Sequence, residues 1–422
     1  MTVTPERLSA EDALILGLES GTVRGHTCKV IVLEGEHDVE EVRAELDRRL
    51  TAAPRLRQRV ESRPGGPVWV DDPEFAVSRH VAAGGAAVQA DLCRLVGEAM
   101  AAPLDRSRPL WAMEVISPLG ERRTALVWRI HHAMADGTTA MRMLRSVLLE
   151  PVHDDAPAVP RPSPPAGAVP PPHSAATLPA VLGRELARRG AASPLDHRVG
   201  SRREVAFVDA PLEKLRSIGH AAPERATVND VVLAAVAGGL RDWLERLGAP
   251  REGLRLKVPV SLHRQDEGDL ANRDSFMFVD LPLAEPDPVD RLVAIVRETR
   301  RRKLCHDAQT LDRFFRDLSH LSGSLERFAE HWAMSPRVFT LNVSNVPGPR
   351  GEQRILGSRV LELHSLAEVA HRHALRVAVV SAVERVSFGL CADPDVVGDL
   401  KVIADGIERA LAELNAAVCR RP

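Results

Sequence analysis

Tyrosine is absent from this 422-residue chain, and aromatic residues of every kind make up only 3% of it. Cysteine is scarce as well. Cys28, Cys93, Cys305, Cys391 and Cys419 are scattered, without paired metal-ligand spacing, and their odd number leaves one unpaired. Reduced thiols in a cytoplasmic protein are the simpler reading. A basic excess is missing. The formal net charge is -2, so little is available to neutralise phosphates and nucleic acid is not an expected partner. No apolar run approaches the about 18 residues of a membrane span. The N-terminus, Met1-Thr2-Val3-Thr4-Pro5-Glu6-Arg7, lacks the basic-then-apolar pattern of a secretion signal. What remains is ordinary for a globular protein, 44% hydrophobic and 27% charged.

At this length two domains are expected. One composition break divides the chain. From Pro151 to Pro172 it is dense in proline and alanine, which favours an extended linker with few backbone donors. The expected division is therefore a first domain over 1–150, a linker with a short amphipathic helix (Ala176–Arg189) over 151–200, and a second domain over 201–422.

Both halves read as mixed strands and helices. In the first, Ser9 precedes Glu11 and Asp12 as an N-cap and acidic first turn. Cys28–Glu34, Pro67–Val70 and Thr124–Ile130 read as strands, and Val39–Leu50 and Leu92–Met100 as helices. In the second, Thr227 caps a helix that Gly248 stops. Glu204–Val208, Arg337–Val343 and Ala374–Val380 read as strands, as does Leu254–Val260, which Pro259 ends. Asp399–Leu414 reads as the final helix. No short repeat relates the halves.

The residues richest in chemistry are His131-His132-Ala133-Met134-Ala135-Asp136-Gly137. Two histidines close a strand, an Asp-Gly turn follows, and a helical run begins at Thr138. Histidine takes a proton near neutral pH. A strand end holds it rigidly, and the loop beyond leaves room for a substrate. The spacing is HHxxxDG, a signature of acyltransferases that use an acyl thioester.

Further segments agree with it in order and spacing. They are Leu8-Ser9-Ala10-Glu11-Asp12-Ala13, Pro109-Leu110-Trp111, Thr227-Val228-Asn229-Asp230-Val231, Val258-Pro259-Val260-Ser261-Leu262, and Ser344-Asn345-Val346-Pro347-Gly348-Pro349. Together they resemble the bacterial wax ester synthase/diacylglycerol acyltransferase family over nearly the whole chain. The resemblance implies an α/β fold of two similar chloramphenicol-acetyltransferase-like domains. Each is a mixed sheet flanked by helices, and a channel between them holds His132 near its centre. It implies acyl-CoA as co-substrate, an alcohol or diacylglycerol hydroxyl as acceptor, and no cofactor or metal. It also allows peripheral contact with a membrane or lipid droplet. Departures occur at Ala112, where relatives often carry an acid, at His371-Arg372-His373, where they tend to carry glycine, and at Ser381-Ala382-Val383, where they often carry tyrosine. These regions bear on the acceptor side, so the acceptor stays open.

Acyl transfer from a thioester needs little help with its leaving group, a thiol of pKa about 8.5. The hard part is making a hydroxyl nucleophilic, which one positioned base does, contributing about 10²–10⁴-fold. His132 is the candidate base, returning its proton to the CoA thiolate with no covalent enzyme intermediate. His131 points elsewhere, because successive strand residues diverge, and is expected to support by packing or hydrogen bonding. Asp136 either orients His132 or fixes the loop through an ion pair with an arginine, the second being preferred. Gly137 permits a turn or close approach. Asp230 is explained by helix capping. Asn229 is not, and is a candidate for facing the channel. Asn345, before a turn held by Pro347, either donates to an oxyanion or bridges backbone groups. Trp111 reads as core. His371 and His373 read as exposed polar residues. Two other functions stay open: the same fold acting on a polar natural-product hydroxyl or amine, with acyl carrier protein as donor, and a non-catalytic binding protein with this fold. An intact His132 and Asp136 count against the last.

Overall fold

The computed structural model describes residues 5–150, 193–261, 274–304 and 335–420. The proline-rich segment Pro151–Pro172, the expected helix Ala176–Arg189 and Cys305 lie outside the described residues.

Two mixed six-stranded sheets carry the fold. The first runs, in spatial order, Arg354–Ile355, Ser358–Ala367, His26–Glu34, Arg123–His131, Trp111–Leu119 and Val81–Ala87. The second runs Asp274–Asp280, Arg255–Ser261, Leu341–Pro347, Leu375–Ala382, Arg385–Ala392 and Glu204–Pro211. Gly66–Asp71, the expected strand at Pro67–Val70, sits in a small third sheet between Glu6–Arg7 and Gln58–Arg63.

The two large sheets define two halves, but the chain division does not follow them. Arg354–Ile355 and Ser358–Ala367 come from the second half and extend the first sheet, with Leu363 opposite Ile31 and Ala367 opposite Thr27. The strand His26–Glu34, which would otherwise be an edge, is thereby paired on both sides. Where the first half ends in sequence is thus not where its sheet ends in space.

The central strand Arg123–His131 is apolar on both faces because both are covered. Leu126, Trp128 and Ile130 enter one core with Ile31, Leu33 and the helices Val39–Arg49 and Gly137–Val147. Ala125 and Val127 point the other way, into a core shared with the helix Leu92–Ala101 and the second half. The second sheet packs Leu375, Val377 and Val379 against the helices Val228–Arg246 and Leu400–Val418. Those helices cross closely: a Cβ on Gly239 would lie 2.6 Å from the carbonyl oxygen of Ile403. Burial of this kind stabilises by about 25 cal/mol per Å² of apolar surface.

Capping follows the expected logic. Ser9 Oγ accepts from the Asp12 amide at 3.0 Å, and Thr227 and Asp230 form a reciprocal capping box. Two expectations shift. Pro259 does not end its strand, which continues to Ser261. Pro259 is opposite Phe276 on one side, while pairing on the other side involves only Leu256 and Lys257, so its missing N–H interrupts no ladder there. The strand expected at Arg337–Val343 begins instead at Leu341, because a turn closes first with the Val338 amide on the Ser335 carbonyl at 2.8 Å. It then runs through Asn345 to Pro347, so Val346 and Pro347, expected to form a turn after Asn345, lie in the strand. No helix among the described residues is long and apolar enough to cross a membrane.

Candidate active site

The strand Arg123–His131 delivers both histidines to one end of the first sheet. The His131 amide donates to the Leu110 carbonyl at 2.9 Å, so the Pro109-Leu110-Trp111 segment holds the motif from its side. The His132 amide donates to the Gly25 carbonyl at 2.8 Å. Gly25 has φ +67, and a Cβ there would lie 2.7 Å from Nε2 of His131. Only glycine suits that backbone and that approach.

The two rings have opposite surroundings. His131 is fully buried. Its Nδ1 accepts from the Ala133 amide at 3.1 Å, which fixes the proton on Nε2. Burial, then the charges of His132 and Arg106, push its pKa down to about 3. His131 is therefore a neutral brace for the loop. His132 keeps partial exposure. Its Nδ1 is closed off without a partner, whereas Nε2 is not. Burial and the charge of Arg376 lower its pKa to about 4, Asp136 opposes them, and Lys29 adds to the lowering. The ring is neutral at pH 7, the state a base requires.

Asp136 caps the helix Gly137–Val147, with Oδ1 accepting from the Thr139 amide at 2.6 Å. The expected ion pair with an arginine is not formed: among the described residues no arginine pairs with Asp136. The cation that feels its charge is Lys29. Lys29 is buried within an otherwise apolar strand, its Nζ donates to Ser365 Oγ at 2.6 Å, and burial lowers its pKa to about 8. Lys29 and Asp136 make no hydrogen bond or ion pair, and Oδ2 of Asp136 is buried without a partner among the described residues.

The second half closes on this loop. A Cβ on Gly137 would meet Val346 Cγ2 at 3.1 Å, so Gly137 allows the close approach of the strand Leu341–Pro347. Asn345 Nδ2 donates to Asn229 Oδ1 at 3.4 Å, bringing those two residues together across 116 positions of sequence. Asp230 stays structural: Oδ2 accepts from the Thr227 amide at 2.8 Å and Oδ1 from Thr299 Oγ1 at 2.7 Å. Trp111 is core, stacked on His80 at 4.5 Å with Nε1 donating to the Leu56 carbonyl at 2.7 Å. The pair at 371 and 373 needs correction. His371 is exposed, but His373 is buried, stacked on Phe339 at 4.2 Å with Nδ1 3.0 Å from the Thr340 carbonyl. The strand that starts just beyond it draws it into the sheet interface.

Lys29 and Arg376 were not among the expected site residues. Each is a charge inside an apolar strand, Cys28–Leu33 and Leu375–Ala382, and that interruption is the signal that marks them.

The buried neutral histidines predict a pH dependence. The unfolded chain protonates His131 near pH 6.5 and the folded chain only near 3. Its contribution is fully present above pH 6.5 and is lost as pH falls toward 3. Glu368, whose pKa burial raises to about 7, gains its proton more readily when folded and acts with the opposite sign. We therefore expect His131→Gln to lose about 2 kcal/mol less stability than the parent between pH 7 and pH 5. Urea unfolding of both proteins at the two pH values measures it. Equal losses would mean that His131 is charged or exposed in solution.

The fold is shared with a wax ester synthase/diacylglycerol acyltransferase and with condensation domains. It matches the wax ester synthase/diacylglycerol acyltransferase from Marinobacter aquaeolei VT8 with TM-score 0.71 and 24% identity, over 99% of this chain and 100% of that one. The first condensation domain of the calcium-dependent antibiotic synthetase matches with TM-score 0.67 and 15% identity, over 100% and 97%. The wax ester synthase/diacylglycerol acyltransferase catalytic-domain model matches residues 8–189, and the family's C-terminal domain matches residues 270–415. The chain belongs to the wax ester synthase/diacylglycerol acyltransferase family and is an acyl-CoA acyltransferase. A relative named "Probable diacyglycerol O-acyltransferase tgs1", from Mycobacterium tuberculosis, is 32% identical over 92% of this chain and 91% of its own length.

Proposed function

We propose that the protein transfers a fatty acyl group from CoA to the hydroxyl of a long-chain alcohol or a diacylglycerol, with His132 as the only base. The observation that carries this reading is the contrast between the rings. His131 is sealed and hydrogen-bonded to its own loop, while His132 is neutral and keeps Nε2 open beside the second half.

Nε2 takes the hydroxyl proton as the oxygen attacks the thioester carbonyl. When the tetrahedral adduct collapses, the C–S bond breaks and the same nitrogen returns the proton to the thiolate sulfur. The ester and free CoA are the products, and no bond to the protein forms. Asn345, hydrogen-bonded to Asn229, would line the second-half side of the substrate channel. Arg376 and Lys29 favour negative charge developing near the base.

The test is transfer itself. The purified chain is given palmitoyl-CoA with hexadecanol or with diacylglycerol, and the lipid products are identified by mass spectrometry. Palmityl palmitate or triacylglycerol supports the reading. CoA release with only free palmitate would replace it with thioester hydrolysis.

A further inference from the structure

A row of polar side chains crosses the second sheet on the face turned away from its helices. Lys257, Asn342 and Arg376 occupy matching positions on three adjacent strands: Asn342 is opposite Lys257 on one side and Arg376 on the other. Their neighbours Leu341, Val343, Leu375 and Val377 are buried in the helix-side core, so the row faces the first half. A cleft there is lined by Asn342, Arg376, Phe339 and His373.

Arg376 is poorly compensated. Its single hydrogen bond among the described residues runs from Nη1 to the Glu368 carbonyl at 3.3 Å. Nε is closed off from solvent with no acceptor, and so is the acceptor Oδ1 of Asn342. The nearby carboxylate of Glu368, whose charge Arg376 feels, gives Oε1 to Arg203 Nε at 2.6 Å and makes no hydrogen bond to the Arg376 guanidinium. Lys29, the other cation beside the motif loop, donates to a neutral hydroxyl. An unpaired guanidinium held inside a protein costs several kcal/mol, and its planar fork suits a carboxylate or phosphate. A ligand that supplies an anion would recover that cost.

We propose that Arg376, with Asn342 and Lys257 beside it, binds an anionic oxygen group on the acceptor whose hydroxyl is acylated. The inference rests on the acyltransfer chemistry above and adds an acceptor class to it: a hydroxylated lipid carrying a carboxylate or phosphate near the hydroxyl. The phosphates of CoA are the other source of such an anion. They stand at the far end of the pantetheine arm from the thioester, whereas the charge of Arg376 is felt at His132.

The experiment uses the full chain, palmitoyl-CoA, and two acceptors that differ only in charge, 3-hydroxyhexadecanoate and its methyl ester. The parent protein is expected to favour the acid at least tenfold in kcat/KM. Arg376→Gln is expected to cut that ratio at least tenfold, chiefly through KM of the acid, and Arg376→Lys to restore part of it. Circular dichroism and thermal unfolding report that each variant is folded, and the acid-to-ester ratio is read within each variant. Palmitoyl-dephospho-CoA provides the second arm: a ratio of CoA to dephospho-CoA turnover that changes in Arg376→Gln would assign the arginine to the donor and overturn the proposal. A parent ratio near one, needing no variant, would overturn it as well. Transfer to hexadecanol with neither hydroxy lipid used would sink this proposal alone. No transfer to any acceptor would sink the acyltransfer reading beneath it.

Discussion

His132→Ala is expected to lower acyl transfer by about 10²–10⁴-fold while leaving the fold intact. The loss follows from removing the one open, neutral imidazole at the motif. The retained stability follows from what the ring does not do. Its Nδ1 makes no hydrogen bond, and the contact that anchors the residue, amide to Gly25 carbonyl at 2.8 Å, belongs to the backbone and survives in alanine. Thiol release in the presence of alcohol measures the first effect. Thermal unfolding measures the second, with a change of no more than about 1 kcal/mol expected. Near-normal turnover in the variant would remove His132 from the chemistry.

Substitutions at Asp136 separate two roles that share one side chain. Asp136→Ala removes the cap on Gly137–Val147, which costs about 0.5–2 kcal/mol, and removes the negative charge felt at Lys29. Asp136→Asn keeps an oxygen for the Thr139 amide and removes only the charge. Alanine should therefore lower both stability and activity, and asparagine should lower stability less. The helix cap anchors the loop that carries His132, so activity should track stability across the two variants. Parental stability in Asp136→Asn, with activity as low as in His132→Ala, would reassign Asp136 to orienting the base.

Much of the site was legible in the sequence because its parts are local. The motif turns from strand to cap to helix within seven residues, and each step has its own residue chemistry: His131 at the strand end, Asp136 at the N-cap, then the run from Gly137. The capping pair Thr227 and Asp230 is local in the same sense. What escaped reading depends on distant partners. Ser358–Ala367 pairs with a strand more than three hundred residues earlier, and Arg359, Glu362 and His364 break its apolar pattern. Asp136 acts on Lys29 through space because strand pairing brings His26–Glu34 beside Arg123–His131. Nothing near Asp136 in the sequence specifies that. His373 is polar in sequence but buried, because Phe339 offers it a stacking face from another segment. The family match carried the sheet-level architecture, and residue chemistry alone carried the loop.

The central claim is direct transfer within one ternary complex, with a single histidine moving the proton. Intact-protein mass and product stoichiometry, read in the same transfer assay, test it most directly. With palmitoyl-CoA alone the protein mass should stay unchanged. On adding the acceptor, one ester should appear for each free CoA, at rates giving intersecting lines when both substrates are varied. A palmitoylated protein that forms without acceptor and discharges to it, with parallel lines, would contradict the account.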